Sequence, residues 1–235
     1  MSKFEERSIT CRACSHRWEV AVAQSINADR SPHHRDAIIA EQFHRFECPR
    51  CGVPAFVEDP FIYIDFSRRE WIGVFPTSFE GEWSRWEEAP LQALRVGLGS
   101  DAPPIVQPLA EGLKVRVVFG LMALREKLVC FQAGLDDGTL EVLKLELMRG
   151  VDGLPVHPAF RPRLVQVDDT FLYFRGQLRE GEGRVWGQLR VPRSQLARYV
   201  PGGPLWEVRE QVAAGPYLDL GRIFIPAADP EPAGS

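Results

Sequence analysis

The sequence lacks any uninterrupted apolar run approaching the ~20 residues that a membrane-spanning helix needs. Its most apolar segment, Val115 to Leu124, contains Arg116 and is followed by three charged residues at 125–127. The first residues are charged and have no apolar stretch behind them, which is unlike a secretory signal. We therefore expect a soluble protein of the cytoplasm.

An excess of charge of one sign is lacking as well. The chain has 28 basic and 32 acidic residues, for a net charge of -4. Such a chain has no general attraction for nucleic acid or for anionic membranes. The arginines available for a local basic face are Arg12, Arg17, Arg50, Arg68 and Arg69. Acidic residues alternate with them in the sequence and predict a surface of mixed charge, namely Glu19, Glu47, Glu58 and Asp59.

Cysteine is scarce, with five residues in a chain of 235. Four of them form two CxxC pairs, Cys11 with Cys14 and Cys48 with Cys51, while Cys130 stands alone. A chain of this length can bury a core without disulfides. In a reducing compartment, paired CxxC motifs indicate metal binding or redox chemistry.

The spacing of the two pairs favours zinc. Zn²⁺ is commonly bound by four thiolates in a tetrahedron, and two intervening residues form a tight turn that directs both sulfurs of a pair to one metal. Gly52, directly after Cys51, suits such a turn because glycine tolerates a positive φ. Four protein ligands leave no position for a substrate, so we predict one structural zinc and no catalytic residue.

Two other chemistries use cysteine pairs. A thioredoxin-like redox pair would open a helix inside a βαβ unit, whereas strand-like segments at residues 7–11 and 17–23 flank the first pair. An iron–sulfur cluster also takes four cysteines. Histidine could replace a cysteine ligand, but four cysteines suffice, and we expect the nearby histidines at the surface: His16, His33, His34 and His44.

The segment between the pairs is longer than in a simple zinc ribbon. Cys14 and Cys48 are separated by 33 residues, against the usual ~15–20. Ser31 and Pro32 predict the start of a helix that reaches Gln42, with Ser31 as its cap. Residues 61–66 and 70–75 alternate as a β-hairpin. Residues 1–75 are therefore interpreted as a zinc-ribbon-like module with an inserted helix.

The rest of the chain divides into helical and strand-forming parts. Within residues 76–153, we expect one helix between Glu82 and Val96, then a helical hairpin with two leucine stripes, broken at Gly134. Residues 154–226 predict a small antiparallel β unit, with strands at 170–178, 184–191 and 217–225 and a short helix at 192–199. Residues 227–235 predict a disordered tail. The predicted fold class is α+β.

Three carboxylates lie near the second leucine stripe. Asp136, Asp137 and Glu141 could form a site for a hard metal or for acid–base chemistry. The alternative is a helix cap followed by ion pairs with Lys144, Lys127 or Arg125, which we favour because no catalytic histidine accompanies them. Cys130 lies on the apolar face of its helix and is expected to be a buried structural thiol.

These motifs together resemble the CpXC domain proteins of bacteria and archaea. The first cysteine pair differs by having Arg12 where proline is usual, which leaves the ligand set intact. The resemblance covers roughly residues 8–150 and implies a metal site, with no particular activity. It rests on residues 8–14, Ser25-Ile26-Asn27, Asp29, Pro32, residues 46–51, Tyr63, Asp65, residues 124–127, residues 134–137, Glu141 and Lys144.

Three functional hypotheses follow. The first is a non-enzymatic module in which zinc stabilises a surface for a protein partner. The second is a nucleic-acid-binding or transcription-associated zinc ribbon, which a basic concave face would favour. The third is an enzyme with an acidic site at Asp136, Asp137 and Glu141, which a pocket joining these residues to further polar groups would favour.

Overall fold

The computed structural model describes residues 2–150, 160–178, 185–199, 201–203 and 205–228. The loop expected around His157, the turn expected at residues 180–183 and most of the expected tail lie outside these residues. The chain forms two compact units. The first contains Met1–Phe79 and Glu88–Leu124, and the second contains Glu80–Glu87 and Arg125–Ser235.

Helices and strands are interspersed along the chain. The strands are β1 (Lys3–Thr10), β2 (Arg17–Asn27), β3 (Arg45–Glu47), β4 (Pro54–Phe56), β5 (Phe61–Asp65), β6 (Glu70–Phe75), β7 (Lys114–Phe119), β8 (Phe160–Val167), β9 (Phe171–Leu178) and β10 (Val185–Pro192). The α-helices are α1 (Pro32–Ile39), α2 (Trp83–Trp86), α3 (Glu88–Leu98), α4 (Leu121–Gln132), α5 (Asp137–Gly150), α6 (Trp206–Val212) and α7 (Gly221–Phe224). Within the described residues, 3₁₀ helices span Thr77–Glu82, Gln107–Ala110 and Arg193–Arg198.

A five-stranded mixed sheet forms the centre of the first unit, in the order β1-β2-β5-β6-β7. The pairs β1–β2 and β5–β6 are antiparallel, while β2–β5 and β6–β7 are parallel. Alternating apolar side chains of these strands are buried, as for Val22, Ile26, Tyr63 and Ile72. Strands β3 and β4 form a separate two-stranded hairpin. The hairpin expected at residues 61–75 is confirmed.

The second unit packs helices against a three-stranded antiparallel sheet in the order β10-β9-β8. Its core contains Leu140 and Leu143 from α5 together with Leu164, Leu172 and Phe174 from the sheet. The α+β class and the small antiparallel unit are therefore confirmed. Across the part of the chain described, no helix is long and apolar enough to cross a membrane.

Two local expectations were wrong. Helix α1 ends at Ile39, and the Ser31 side chain makes no capping hydrogen bond. The strand expected at residues 217–225 is instead a turn followed by α7. The buried carboxylate of Asp219 accepts a hydrogen bond from the Gly221 N–H at 2.8 Å. This bond stabilises a helical turn, whereas pairing in a β-sheet would need extended backbone at these residues.

Candidate metal centre at two cysteine turns

Each cysteine pair lies at the tip of a β-hairpin. We name residues 11–14 the first knuckle and residues 48–51 the second knuckle. The first knuckle connects β1 to β2, whose register ends with Thr10 opposite Arg17. The second connects β3 to β4, whose register ends with Glu47 opposite Pro54. The paired strands therefore hold both turns at their bases. For the first knuckle, the strand patterns on either side of the cysteine pair predicted this arrangement.

The two knuckles repeat the same backbone hydrogen bonds. The Cys11 N–H donates to the His16 carbonyl at 2.8 Å, and the Cys48 N–H donates to the Val53 carbonyl at 3.0 Å. The residue four positions after each leading cysteine donates back to that cysteine's carbonyl and has positive φ: 58° at Ser15 and 71° at Gly52. The sequence indicated this conformation only at the glycine.

The four thiol sulfurs converge on one point. The Sγ atoms of Cys11, Cys14, Cys48 and Cys51 all lie within 4.8 Å of one another. The distance between the sulfurs is 3.6 Å for Cys11 and Cys51 and 3.7 Å for Cys14 and Cys48. A tetrahedron of thiolates at ~2.3 Å from zinc has edges of roughly 3.8 Å. The donor set and its spacing therefore fit a tetrahedral metal ion.

Electrostatics at the cluster also favour a cation. The backbone N–H groups of Cys14 and Ala13 lower the pKa of the Cys11 thiol to about 6. At Cys51, the Val53 backbone lowers the pKa, but the other thiols of the cluster outweigh it and raise the pKa to about 12. Several thiolates so close together repel one another, and a bound cation removes that penalty.

Each knuckle also carries an exposed arginine between its cysteines, Arg12 in the first and Arg50 in the second. A Zn²⁺ ion with four thiolates has a net charge of about −2. Guanidinium groups this close in sequence to the ligands reduce that excess negative charge.

The expectation that the nearby histidines lie at the surface was wrong for His44, which is only 5% exposed. Its Nε2 accepts a hydrogen bond from the Ala23 N–H of β2 at 2.9 Å. The ring stacks on Phe43 and meets the edge of Phe61. Phenylalanines on both sides of His44 in the sequence were the available signal for burial.

The three carboxylates near α5 separate into two environments. Asp136 is exposed and caps α5, since its Oδ1 accepts the Thr139 N–H at 2.8 Å, and it also binds Arg209 at 2.9 Å. Asp137, which the sequence also offered as a cap, is buried and binds Lys127 at 3.1 Å. Glu141 is fully buried one turn later. The structure therefore does not place the three side chains in one open site.

Asp137 and Glu141 belong to a buried cluster of acids and bases in the second unit, which we name the ionic network. Lys144 Nζ lies 3.0 Å from Glu126 and 2.9 Å from Glu141. Arg163 lies 2.7 Å from Glu126 and 2.7 Å from Asp219. Its members are Glu126, Lys127, Asp137, Glu141, Lys144, Arg161, Arg163 and Asp219.

Acids and bases are equal in number within the ionic network. Oxygens of Glu126, Glu141 and Asp219 approach within 4.8 Å of one another, as metal ligands would. Lys144 and Arg163 bind these same carboxylates, so the cations of the protein already neutralise them. The helix-cap and ion-pair interpretation describes this geometry. Arg163 and Asp219 are distant in sequence from Glu126 and Glu141, and no pattern in the sequence linked them to α5.

Cys130 lies apart from the knuckles, fully buried in the core of the second unit. Its Sγ donates to the Leu135 carbonyl at 3.7 Å. Burial raises the pKa of this thiol, which keeps it protonated and unreactive. These features match the structural thiol expected from the sequence.

Comparison with known proteins gives one match. A family model described as "CpXC protein" matches residues 9–144, which include both knuckles, α5 up to Lys144 and more than half of the chain. No curated protein and no solved structure matches. Of the ionic network, Arg161, Arg163 and Asp219 lie beyond the matched region.

Proposed function

We propose that this chain, which belongs to the CpXC protein family, binds one zinc ion through Cys11, Cys14, Cys48 and Cys51. The convergence of four sulfurs at near-tetrahedral spacing carries the proposal. The ion joins two hairpins that are distant in sequence, as in a zinc ribbon with an inserted helix. Thiolate ligands persist in a reducing compartment, and we accordingly assign the protein to the cytoplasm.

Elemental analysis and native mass spectrometry of the purified protein test the metal. We expect one zinc per chain and neither iron nor acid-labile sulfide. The Cys130→Ser variant is the matched control and should keep its zinc, because Cys130 lies in the core of the second unit. Wild-type protein that contains iron, or that remains metal-free after zinc is supplied, would refute the assignment.

The function that zinc supports is, in our proposal, the binding of a protein partner and not catalysis. Two apolar side chains at or just before β4 are exposed, Phe56 at 63% and Val53 at 40%. The Arg45 guanidinium lies over the Phe56 ring at 5.8 Å. Among the described residues, Arg12, Arg45 and Arg50 have no acidic side chain within ion-pair distance.

This surface of exposed apolar and basic side chains fits a protein segment with acidic residues around an apolar anchor. An aromatic side chain that loses its contact with water on binding contributes strongly to affinity. Neighbouring arginines add charge complementarity and speed association. The chain's net charge of -4 disfavours nucleic acid as the occupant.

Affinity capture from the native host, with variants, tests this surface. We expect a stoichiometric protein partner with the wild type, and at least a tenfold loss of its affinity with Phe56→Ser, as for an anchor worth ~2 kcal/mol. Val96→Ser is the matched control, because Val96 is 56% exposed on α3 of the same unit. Equal loss in both variants, or submicromolar and salt-sensitive binding of DNA or RNA, would contradict the proposal.

A further inference from the structure

His44 connects the hairpins that carry the two knuckles. It lies four residues before Cys48, and its carbonyl accepts the Val57 N–H at 3.1 Å, just after β4. Its imidazole Nε2 accepts the Ala23 N–H of β2, the strand that leaves the first knuckle. One residue therefore binds both hairpins at once.

The bond to β2 occurs just before β2 begins to pair with β5, at a residue whose partner in β1 is Phe4. Strand β5 pairs with β2 only from Ser25 to Asn27. The imidazole takes the Ala23 N–H just before that pairing begins. A buried backbone N–H without an acceptor costs ~1–3 kcal/mol, and the imidazole supplies the acceptor for this one.

This hydrogen bond sets the protonation state of the ring. A backbone N–H can only donate, so the Nε2 that accepts it must carry no proton. The proton of the neutral ring is then on Nδ1, which is buried and makes no well-formed hydrogen bond with a described residue. Adding a second proton to the ring removes the acceptor and breaks the bond to β2.

Burial outweighs the groups around the ring that favour a second proton, which are the Val57 backbone and Asp59. Glu58 and Asp59, from the segment after β4, line a small cavity beside the ring with uncharged Phe61, Gly120 and Leu121. Glu58 accepts hydrogen bonds from Thr77, and Asp59 pairs with Arg7. His34 of α1 is the remaining titratable group whose charge acts on the ring.

We propose that His44 is a proton-sensitive latch that assembles the metal site. The neutral imidazole holds the second-knuckle hairpin against β2 and so brings the two cysteine pairs together. The protonated imidazole releases that hairpin, and metal affinity falls. This inference rests on the proposed zinc site and adds a positioning residue and a mode of regulation to it.

The expected effect has a definite sign. Burial lowers the pKa of His44 from 6.5 to about 4, against the Val57 backbone and Asp59, which raise it. The released ring takes up a proton more readily than the latched ring, so the latched state loses stability as pH falls from about 6.5 toward about 4. At about pH 5 the difference approaches roughly 30-fold in the latching equilibrium.

Zinc affinity by chelator competition, at about pH 7 and about pH 5, tests the latch. Thiolate protonation weakens binding in every variant and cancels in a comparison. His44→Gln places an amide oxygen near the Nε2 position and does not titrate. We expect wild type to lose up to roughly 30-fold more affinity than His44→Gln between the two pH values.

His33→Gln is the matched control, since His33 is exposed on α1; it should behave like wild type. Equal losses in wild type and His44→Gln would overturn the proposal. Nitrogen-15 NMR of wild type as purified tests the latch without a variant. A ring protonated on Nε2 at neutral pH, or one that titrates with an ordinary histidine pKa, would also overturn it. Failure to bind zinc, with the ring protonated on Nδ1, would instead count against the proposed function alone.

Discussion

Cys48→Ser is expected to abolish zinc binding and to unfold both knuckles with the β3–β4 hairpin. Strands β3 and β4 are three residues each, and most of their side chains are exposed. A hairpin of this kind is at best marginally stable alone. Structural zinc contributes ~10–16 kcal/mol of binding free energy, which becomes folding free energy where no site exists before folding.

Backbone NMR resolves the expected loss residue by residue. Amides from Arg45 to Phe56 should lose dispersion and exchange protection in Cys48→Ser, as in wild type treated with a chelator. The second unit has its own core around Leu140 and Leu143, so its amides should keep their protection. Cys130→Ser is again the control for losing a thiol. If the β3–β4 hairpin of Cys48→Ser keeps its exchange protection without metal, the cysteines are not the main source of its stability.

The cysteine site was predictable because its signal is local. Two residues between cysteines define a turn, and two such turns define a tetrahedral donor set without any knowledge of the fold. Ser15 shows the limit of this reasoning: it adopts the same positive φ as Gly52, yet no residue preference marks it in the sequence. His44 shows another limit, because its burial depends on a strand twenty-one residues earlier.

The fold, like the cysteine site, was predictable where its signal is local in the sequence. The β5–β6 hairpin and the leucine stripes follow periodic patterns within one element. The parallel pairing of β6 with β7 joins segments separated by about forty residues, and such pairing leaves no local pattern. Strand β8 contains Arg161 and Arg163, which are buried only because Glu126 and Asp219 meet them. The predicted strands did not include this one, because arginines at alternate positions give no apolar alternation.

Lys144→Met is expected to destabilise the second unit by ~3–5 kcal/mol, because breaking a buried ion pair leaves charge uncompensated. Lys144 is fully buried and contacts Glu126 and Glu141. Without it, cations near Glu141 among the described residues include Lys127, at 3.8 Å, and Arg163, whose charge also acts on Glu141. Burial already raises the pKa of Glu141 despite both lysines. Urea unfolding followed by far-ultraviolet circular dichroism measures the loss.

The pH dependence of that loss identifies its cause. Removing Lys144 raises the pKa of Glu141 further, so the folded variant binds a proton that its unfolded chain releases. That proton stabilises the variant at low pH and is lost as pH rises, so the difference from wild type should shrink as pH falls. Adding Glu141→Gln should restore part of the stability at neutral pH, because a neutral amide can still accept the Leu220 N–H. Asp136→Ala is the control for an exposed acid that caps the same helix and should cost ~0.5–2 kcal/mol, as a lost cap does. A loss of that smaller size for Lys144→Met, unchanged by pH, would show that the ionic network contributes packing and not charge compensation.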